Sequence, residues 1–363
     1  MNPLPGISFV VPVRNGEASL DRVLAAMLAQ RDGRDVEIIA VDDGSQDRSR
    51  AILESYAASG LIRVLDGVGL GAASAINLGI RHASHPIICQ IDQDVIVHPG
   101  WLKCLLSELR DESVAAAQAC YIATEGRSIW SRVMSLDLTQ RYSQIQNSRD
   151  VDHVCTGNTA YRGSALAEVG LLDETLGYGY DNDLSYRLLN AGYRLAICPE
   201  ATSTHEWRDG FVGYLRQQYG FGYGRLDLVA KHRHKIAGDD VSRLHMMLHA
   251  PVMAAATVGL GVAGILALLG YPSVMLAVLS VGLIAALAAE RFIAGARAAA
   301  TFRDRAGYLF APVHMVRDLA WSGAILVWVG RRLVGRSSRP AHSMHPRQTK
   351  TCLLYTSPSP RDS

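Results

Sequence analysis

Short, fully apolar runs alternate with amphipathic stretches through the first hundred residues, and this alternation restricts the chain to very few folds. "ISFVVPV" (7–13) reads as a strand buried on both faces, and "VEIIAV" (36–41), "LIRVLD" (61–66) and "PIICQI" (86–91) read as further strands. Between them, "EASLDRVLAAMLAQR" places Leu20, Val23, Leu24, Met27 and Leu28 on one helical face, and "SRAILESYAAS" and "LGAASAINLGIRHA" are helical too. Strand and helix at so short a period predict βαβ units and a largely parallel sheet. Ligands of such sheets sit at the carboxyl ends of the strands. Two acidic clusters fall there, Asp42-Asp43 after the second run and Asp92 and Asp94 in "IDQDV" after the fourth.

Charge and cysteine usage narrow the class. The formal net charge of +2 over 363 residues gives no field that favours nucleic acid. Six cysteines are scattered without a CxxC pair, which suits a reducing compartment. The amino terminus has a short apolar run but no basic segment or cleavage site, so a signal peptide is not expected.

"VPVRN", "EIIAVDDGSQDRS", "AINLGI", "IDQDV", "VCTGNTAYRGSALAEVGLLDE" and "GYGYDNDLSYRLLNAGYRLAICPEATSTH" follow one another in order across residues 6–225. Together they resemble the inverting family 2 glycosyltransferases. The resemblance implies an α/β GT-A catalytic domain with a Rossmann-like, mostly parallel sheet, over residues 1–240. It also implies a nucleotide-diphosphate sugar as donor and a divalent cation, Mn²⁺ or Mg²⁺, as cofactor.

The chemistry such an enzyme needs matches the residue types. A leaving diphosphate gains negative charge as the glycosidic bond breaks, and a Lewis-acidic cation stabilises it. Hard cations take oxygen ligands, and Mn²⁺ accepts an imidazole as well. By resemblance, Asp94 is the direct metal ligand, Asp92 holds the ribose or a metal-bound water, and His205 completes the metal site. Asp42 or Asp43, Asp43 in preference, accepts a hydrogen bond from the base; Pro12, Arg14 and Asn158 lie along the nucleotide-sugar. An acceptor hydroxyl needs a general base. Asp181 takes that role, with Asp183 as the fallback because Tyr180 stands where the family usually has Glu. Either carboxylate could instead cap the helix that begins there. Gln217, Gln218 and Tyr219 fall in "YLRQQYGFGYGRLD", which is either a flexible segment over the acceptor or a packed helix end.

Other readings of the same residues are weaker. Acidic strand-end loops are common, and Asp-Gly after a strand is ordinary turn chemistry. "GVGLGAAS" fits G-x-G-x-x-A, but it follows the third strand rather than the first, as a dinucleotide fold would require. A catalytically inactive, membrane-anchored sugar-nucleotide-binding scaffold is the alternative function.

The carboxyl third carries two long apolar runs, 246–269 and 272–291, joined by a short turn. Each is long enough to cross a bilayer. Basic residues precede the first ("KHRHK") and follow the second (Arg291, Arg297, Arg303, Arg305), which places both flanks on the cytoplasmic side. The expectation is a helical membrane domain over 241–335, with an interfacial helix at about 308–332 whose Trp321 and Trp328 sit at headgroup depth. A multi-pass protein of the cytoplasmic membrane follows, its catalytic domain in the cytoplasm and its acceptor lipid-linked or a cell-envelope saccharide. Residues 336–363 form a tail, and "TCLLYTSPSPRDS" from about 351 resembles an in-frame translation of a sequencing adapter.

Overall fold

The computed structural model describes residues 6–123, 128–145, 148, 150–207, 210–240 and 242–335. The tail from 336 onward therefore lies outside the described residues. The amino-terminal part runs β1 (Ile7–Val13), α1 (Leu20–Leu28), β2 (Val36–Asp42), α2 (Ser49–Ala58), β3 (Arg63–Asp66), α3 (Ala72–Arg81) and β4 (Ile87–Ile91). It continues through β5 (Val95–Val97), α4 (Trp101–Glu108), β6 (Val114–Tyr121), α5 (Ile129–Ile145), β7 (Asn158–Arg162), α6 (Gly163–Val169), α7 (Tyr180–Asn190) and β8 (Arg194–His205). The eight strands form one sheet in the order β3-β2-β1-β4-β7-β6-β8-β5.

The first four strands pair in parallel, as the βαβ alternation predicts. Beyond β4 the sheet is mixed. β7 runs antiparallel to both β4 and β6, and the three-residue β5 runs antiparallel to β8. Every residue of β1, β4 and β6 is buried, which is why those runs carry no polar alternation. Leu20, Val23, Leu24 and Met27 of α1 are fully buried in the main core beside Phe9 and Trp101.

The carboxyl third is helical: α8 (Phe211–Lys231), α9 (Leu244–Leu268), α10 (Val274–Phe302) and α11 (Phe310–Leu333). α9 and α10 are long and apolar enough to cross a membrane, and their most apolar windows are only 22% and 11% buried. Such exposure is unlike a pair of core helices in a water-soluble domain. α10 continues past the expected end at 291 to Phe302, and Arg291 inside it is buried against Glu290.

The glycine-rich stretch 220–224, read as either a flexible segment or a packed helix end, is the middle of the continuous helix α8. A Cβ at Gly224 would lie 2.4 Å from Cβ of Tyr178, and one at Gly222 would lie 2.9 Å from Cα of Trp321. The glycines permit close packing on two sides. The tryptophans of α11 are hydrogen-bonded within the protein. Trp321 donates its indole N–H to Gln218 Oε1 at 3.2 Å, and Trp328 donates to Asp227 Oδ1 at 2.8 Å. Their partners lie on α8, so α11 is fastened to the catalytic part rather than standing apart from it.

Gly222→Leu should force α8 and α11 apart and cost about 1–3 kcal/mol. The melting midpoint in detergent is expected to fall by several degrees. Gly330→Ala, where a Cβ meets nothing within 4 Å, should leave it unchanged or raise it.

Candidate active site

The carboxyl ends of β1, β2 and β4 open into a cavity of about 510 Å³. Its sheet side is lined by Pro12, Arg14, Asp43, Asp92 and Asp94, its centre by Asp181 and His205, and its helical side by Gln217, Gln218 and Trp321. Most of the residues singled out in sequence therefore converge on one space.

The loop after β4 is fixed by its middle residue. Gln93 accepts the Arg14 N–H at 2.7 Å and returns its amide to the Arg14 carbonyl at 3.0 Å, while Ser19 Oγ donates to the Gln93 carbonyl at 2.8 Å. This two-point clasp ties the end of β1 to the acidic loop and turns Asp92 and Asp94 toward the cavity. Asp92 accepts from Gln90 Nε2 at 2.9 Å and lies over Gly157, where any Cβ would stand 2.2 Å from Oδ2. Burial, then the charges of Asp94 and Asp181, push the Asp92 carboxyl up to about 7, with the Gln90 hydrogen bond opposing.

Asp94 and His205 meet through the β5–β8 pairing, which places Val95 opposite His205. His205 Nε2 lies 3.7 Å from Asp94 Oδ1, and its ring stacks on Trp207 at 4.1 Å. Ligands about 2.0–2.1 Å from one small divalent ion stand roughly 3–4 Å from each other, so the carboxylate–imidazole pair fits a shared cation. Among the described residues, no group of three or more His, Cys, Asp or Glu is arranged as a complete metal cage. A cation here would need further oxygens from a ligand, as a bound diphosphate would supply.

Asp43 is held from the opposite side. Its two carboxylate oxygens accept the Gly69 and Gly71 N–H groups at 2.7 and 2.8 Å, and Arg14 lies 3.7 Å away. The "GVGLG" loop is thus a backbone cradle for Asp43, not a dinucleotide fingerprint. Asp42 is turned out of the cavity lining, accepting from Ser45 N at 3.1 Å and facing Arg50 at 3.8 Å.

α7 begins with Tyr180 and Asp181, both in the cavity wall. Burial and the neighbouring Asp92 and Asp181 hold the Tyr180 phenol well above its ordinary range, so it stays protonated. Asp181 keeps 23% of its side chain exposed, with His153 Nε2 at 3.6 Å behind it.

Besides Asp42, three further sequence candidates stand elsewhere. Asp183 is fully buried and paired with Arg187, Lys231 and His232 at 2.9, 2.6 and 2.7 Å, which removes it as a fallback base. Asn158 is fully buried in β7; it accepts from Trp101 Nε1 at 2.7 Å and donates to the Ala119 carbonyl at 2.9 Å, so it braces the sheet rather than lining the cavity. Tyr219 faces Tyr223 outside the cavity lining, whereas Gln217 and Gln218 stay within it. The sequence reading missed Gln93, His153, Arg225 and the buried Arg317–Asp318 pair, all of which line the cavity.

Residues 8–170 match the family described as glycosyl transferase family 2. They form a family 2 glycosyl transferase domain. A pre-mycofactocin glycosyltransferase of Mycobacterium tuberculosis is 31% identical over 240 residues, 64% of this chain and 49% of that protein. An N-acetylglucosaminyltransferase of Mesorhizobium japonicum is 27% identical over 236 residues, 60% of this chain and 55% of that protein. The chain spans about half the length of these curated relatives. Among solved structures, the mannosyltransferase PcManGT of Pyrobaculum calidifontis, in complex with GDP-Man and Mn²⁺, superposes with a TM-score of 0.58 at 17% identity. The likeness covers 90% of each chain, so the shared GT-A fold extends past the family 2 domain into the carboxyl-terminal helices.

The raised Asp92 carboxyl has a consequence for stability. A carboxyl that titrates near 7 when folded and about 4 when unfolded favours the folded state while it stays protonated. That contribution is present at about pH 4 and is lost as the pH rises toward 7. Urea unfolding without metal should therefore show stability falling from about pH 5 to pH 8, and Asp92→Asn should flatten the fall.

Proposed function

We propose that the chain transfers a sugar, with inversion, from a nucleotide-diphosphate sugar to an acceptor hydroxyl, using a divalent cation, Mn²⁺ or Mg²⁺. The observation that carries this reading is the convergence of Asp43, Asp92, Asp94, His205 and Asp181 on one cavity at the strand ends. The family 2 domain supports the reaction class, and the Asp94–His205 pair supports the cation.

Asp94 and His205 would hold the cation, with Asp92 beside them for the ribose or a bound water. Once bound, that cation neutralises the charge that grows on the departing diphosphate. Asp43, clamped by two backbone amides, and Arg14 and Pro12 line the nucleotide end of the cavity. Asp181 takes the proton of the acceptor hydroxyl as its oxygen bonds to the anomeric carbon. On the opposite side of that carbon the bond to the diphosphate breaks, and nucleoside diphosphate leaves. Attack and departure on opposite faces of that carbon invert the centre, and the assignment of inversion rests on the family resemblance.

The acceptor enters from the helical side, where Gln217 and Gln218 supply amides and Met246, Met247 and Ala250 of α9 supply apolar surface. That mixture suits an acceptor with both sugar-like and lipid-like parts, lipid-linked or anchored in the cell envelope. The exposed apolar faces of α9 and α10 cross the cytoplasmic membrane twice, with the catalytic part on the cytoplasmic side.

The test is nucleoside diphosphate release from a panel of UDP-, GDP- and dTDP-sugars by detergent-solubilised protein with Mn²⁺ or Mg²⁺. One donor should be turned over. Asp181→Asn is expected to lower kcat by about 10²–10⁴-fold, and Asp94→Ala to abolish the metal dependence. Failure of every donor to bind or turn over with metal present would favour an inactive scaffold.

A further inference from the structure

His153 lies directly behind Asp181 and belongs to none of the motifs that mark the site. Its side chain is 9% exposed, and Nε2 lies 3.6 Å from Oδ2 of Asp181, a residue of the cavity lining. Neither ring nitrogen has a closer hydrogen-bond partner among the described residues. Within electrostatic reach of the ring is a second carboxylate, Asp239, which is 1% exposed and accepts from Arg225 at 2.9 Å, Tyr186 at 3.1 Å, Asn182 at 3.2 Å and the Ser242 N–H at 2.7 Å. The charged groups facing His153 are therefore Asp181 on α7, Arg225 on α8 and Asp239 in the segment after α8.

Two carboxylates against one guanidinium leave an excess of negative charge, and one of the two, Asp239, is fully buried. Uncompensated charge in such a place is costly. One more proton, on His153, balances the four groups.

We propose that His153 is the positioning residue for Asp181: a ring set against the Asp181 carboxylate that aims it at the acceptor hydroxyl. This rests on the reading of Asp181 as general base and assigns the device that makes it one. A contact of 3.6 Å is longer than a hydrogen bond, and contacts of catalytic groups commonly tighten when substrate closes the site. The electrostatics agree with the geometry. Burial opposes the charge on His153, but Asp181 and then Asp239 outweigh it, against Arg225, and the imidazole holds its proton above the ordinary histidine range. For a group raised in this way, the charge is fully present below the unfolded value of about 6.5 and is lost as pH rises through the higher folded value. Turnover should accordingly fall on the alkaline side.

The full chain, with ¹⁵N-labelled histidine rings and in detergent, gives a test that needs no turnover. His153→Gln identifies the His153 resonances by their loss. The ring is expected to titrate above about 6.5, and its midpoint should drop in Asp181→Asn. A midpoint at or below that value, or one that Asp181→Asn leaves in place, overturns the proposal. In the donor assay, His153→Gln should lower kcat roughly tenfold, leave the donor KM within about twofold and remove the alkaline limb of the kcat profile. Loss of thermal stability with the alkaline limb intact would mark a merely structural role and also overturn it. If no donor is turned over, the transferase reading fails, yet the ring titration still decides the His153–Asp181 contact.

Discussion

Mutual repulsion of carboxylates is the constraint on which this structure turns. Asp92, Asp94 and Asp181 face one cavity, and burial, reinforced by the charges of Asp94 and Asp181, pushes the Asp92 carboxyl up to about 7. Like charges brought together in a partly dry site raise one another's proton affinity or demand a counter-charge. The site can stay assembled because each carboxylate has its own solution: Asp92 binds a proton, Asp94 faces His205, and Asp181 faces His153. A divalent cation would relieve the same strain from the cavity side.

Holding those groups still falls to parts of the chain with no charge of their own. Gln93 clasps the backbone of Arg14, so the end of β1 and the acidic loop move as one. Gly157 leaves room for the Asp92 carboxylate, and Gly69 and Gly71 donate to Asp43. On the far side, the glycines of α8 let Tyr178 and α11 approach closely enough to close the cavity, with Trp321 hydrogen-bonded to Gln218 in its wall. Helices α9 and α11 thereby share a surface with the candidate site, and α9 is one of the two helices of membrane length.

Much of this was legible in the sequence because it is local. The buried strands of the parallel half announce themselves as apolar runs, and Asp43, Asp92 and Asp94 stand at their carboxyl ends. Where the reading failed, a distant partner decided the outcome. Asp183 looks as able as Asp181 to serve as a base until Lys231 and His232, some fifty residues on, fold over it. Asn158 belongs to a motif-bearing stretch, yet the indole of Trp101 claims it. The glycines at 220–224 resemble a hinge unless Tyr178 and Trp321 are known to press against them. His153 and Gln93 carry no pattern at all; only the tertiary contacts give them a role.

The central claim, that Asp94 and His205 form a cation site completed by a nucleotide diphosphate, is tested most directly by electron paramagnetic resonance of Mn²⁺ added to the solubilised chain. The account predicts weak Mn²⁺ binding alone, marked tightening when UDP or GDP is added, and loss of that tightening in both Asp94→Asn and His205→Ala. Nucleotide that binds equally well in EDTA, or Mn²⁺ binding that survives both substitutions, would contradict it.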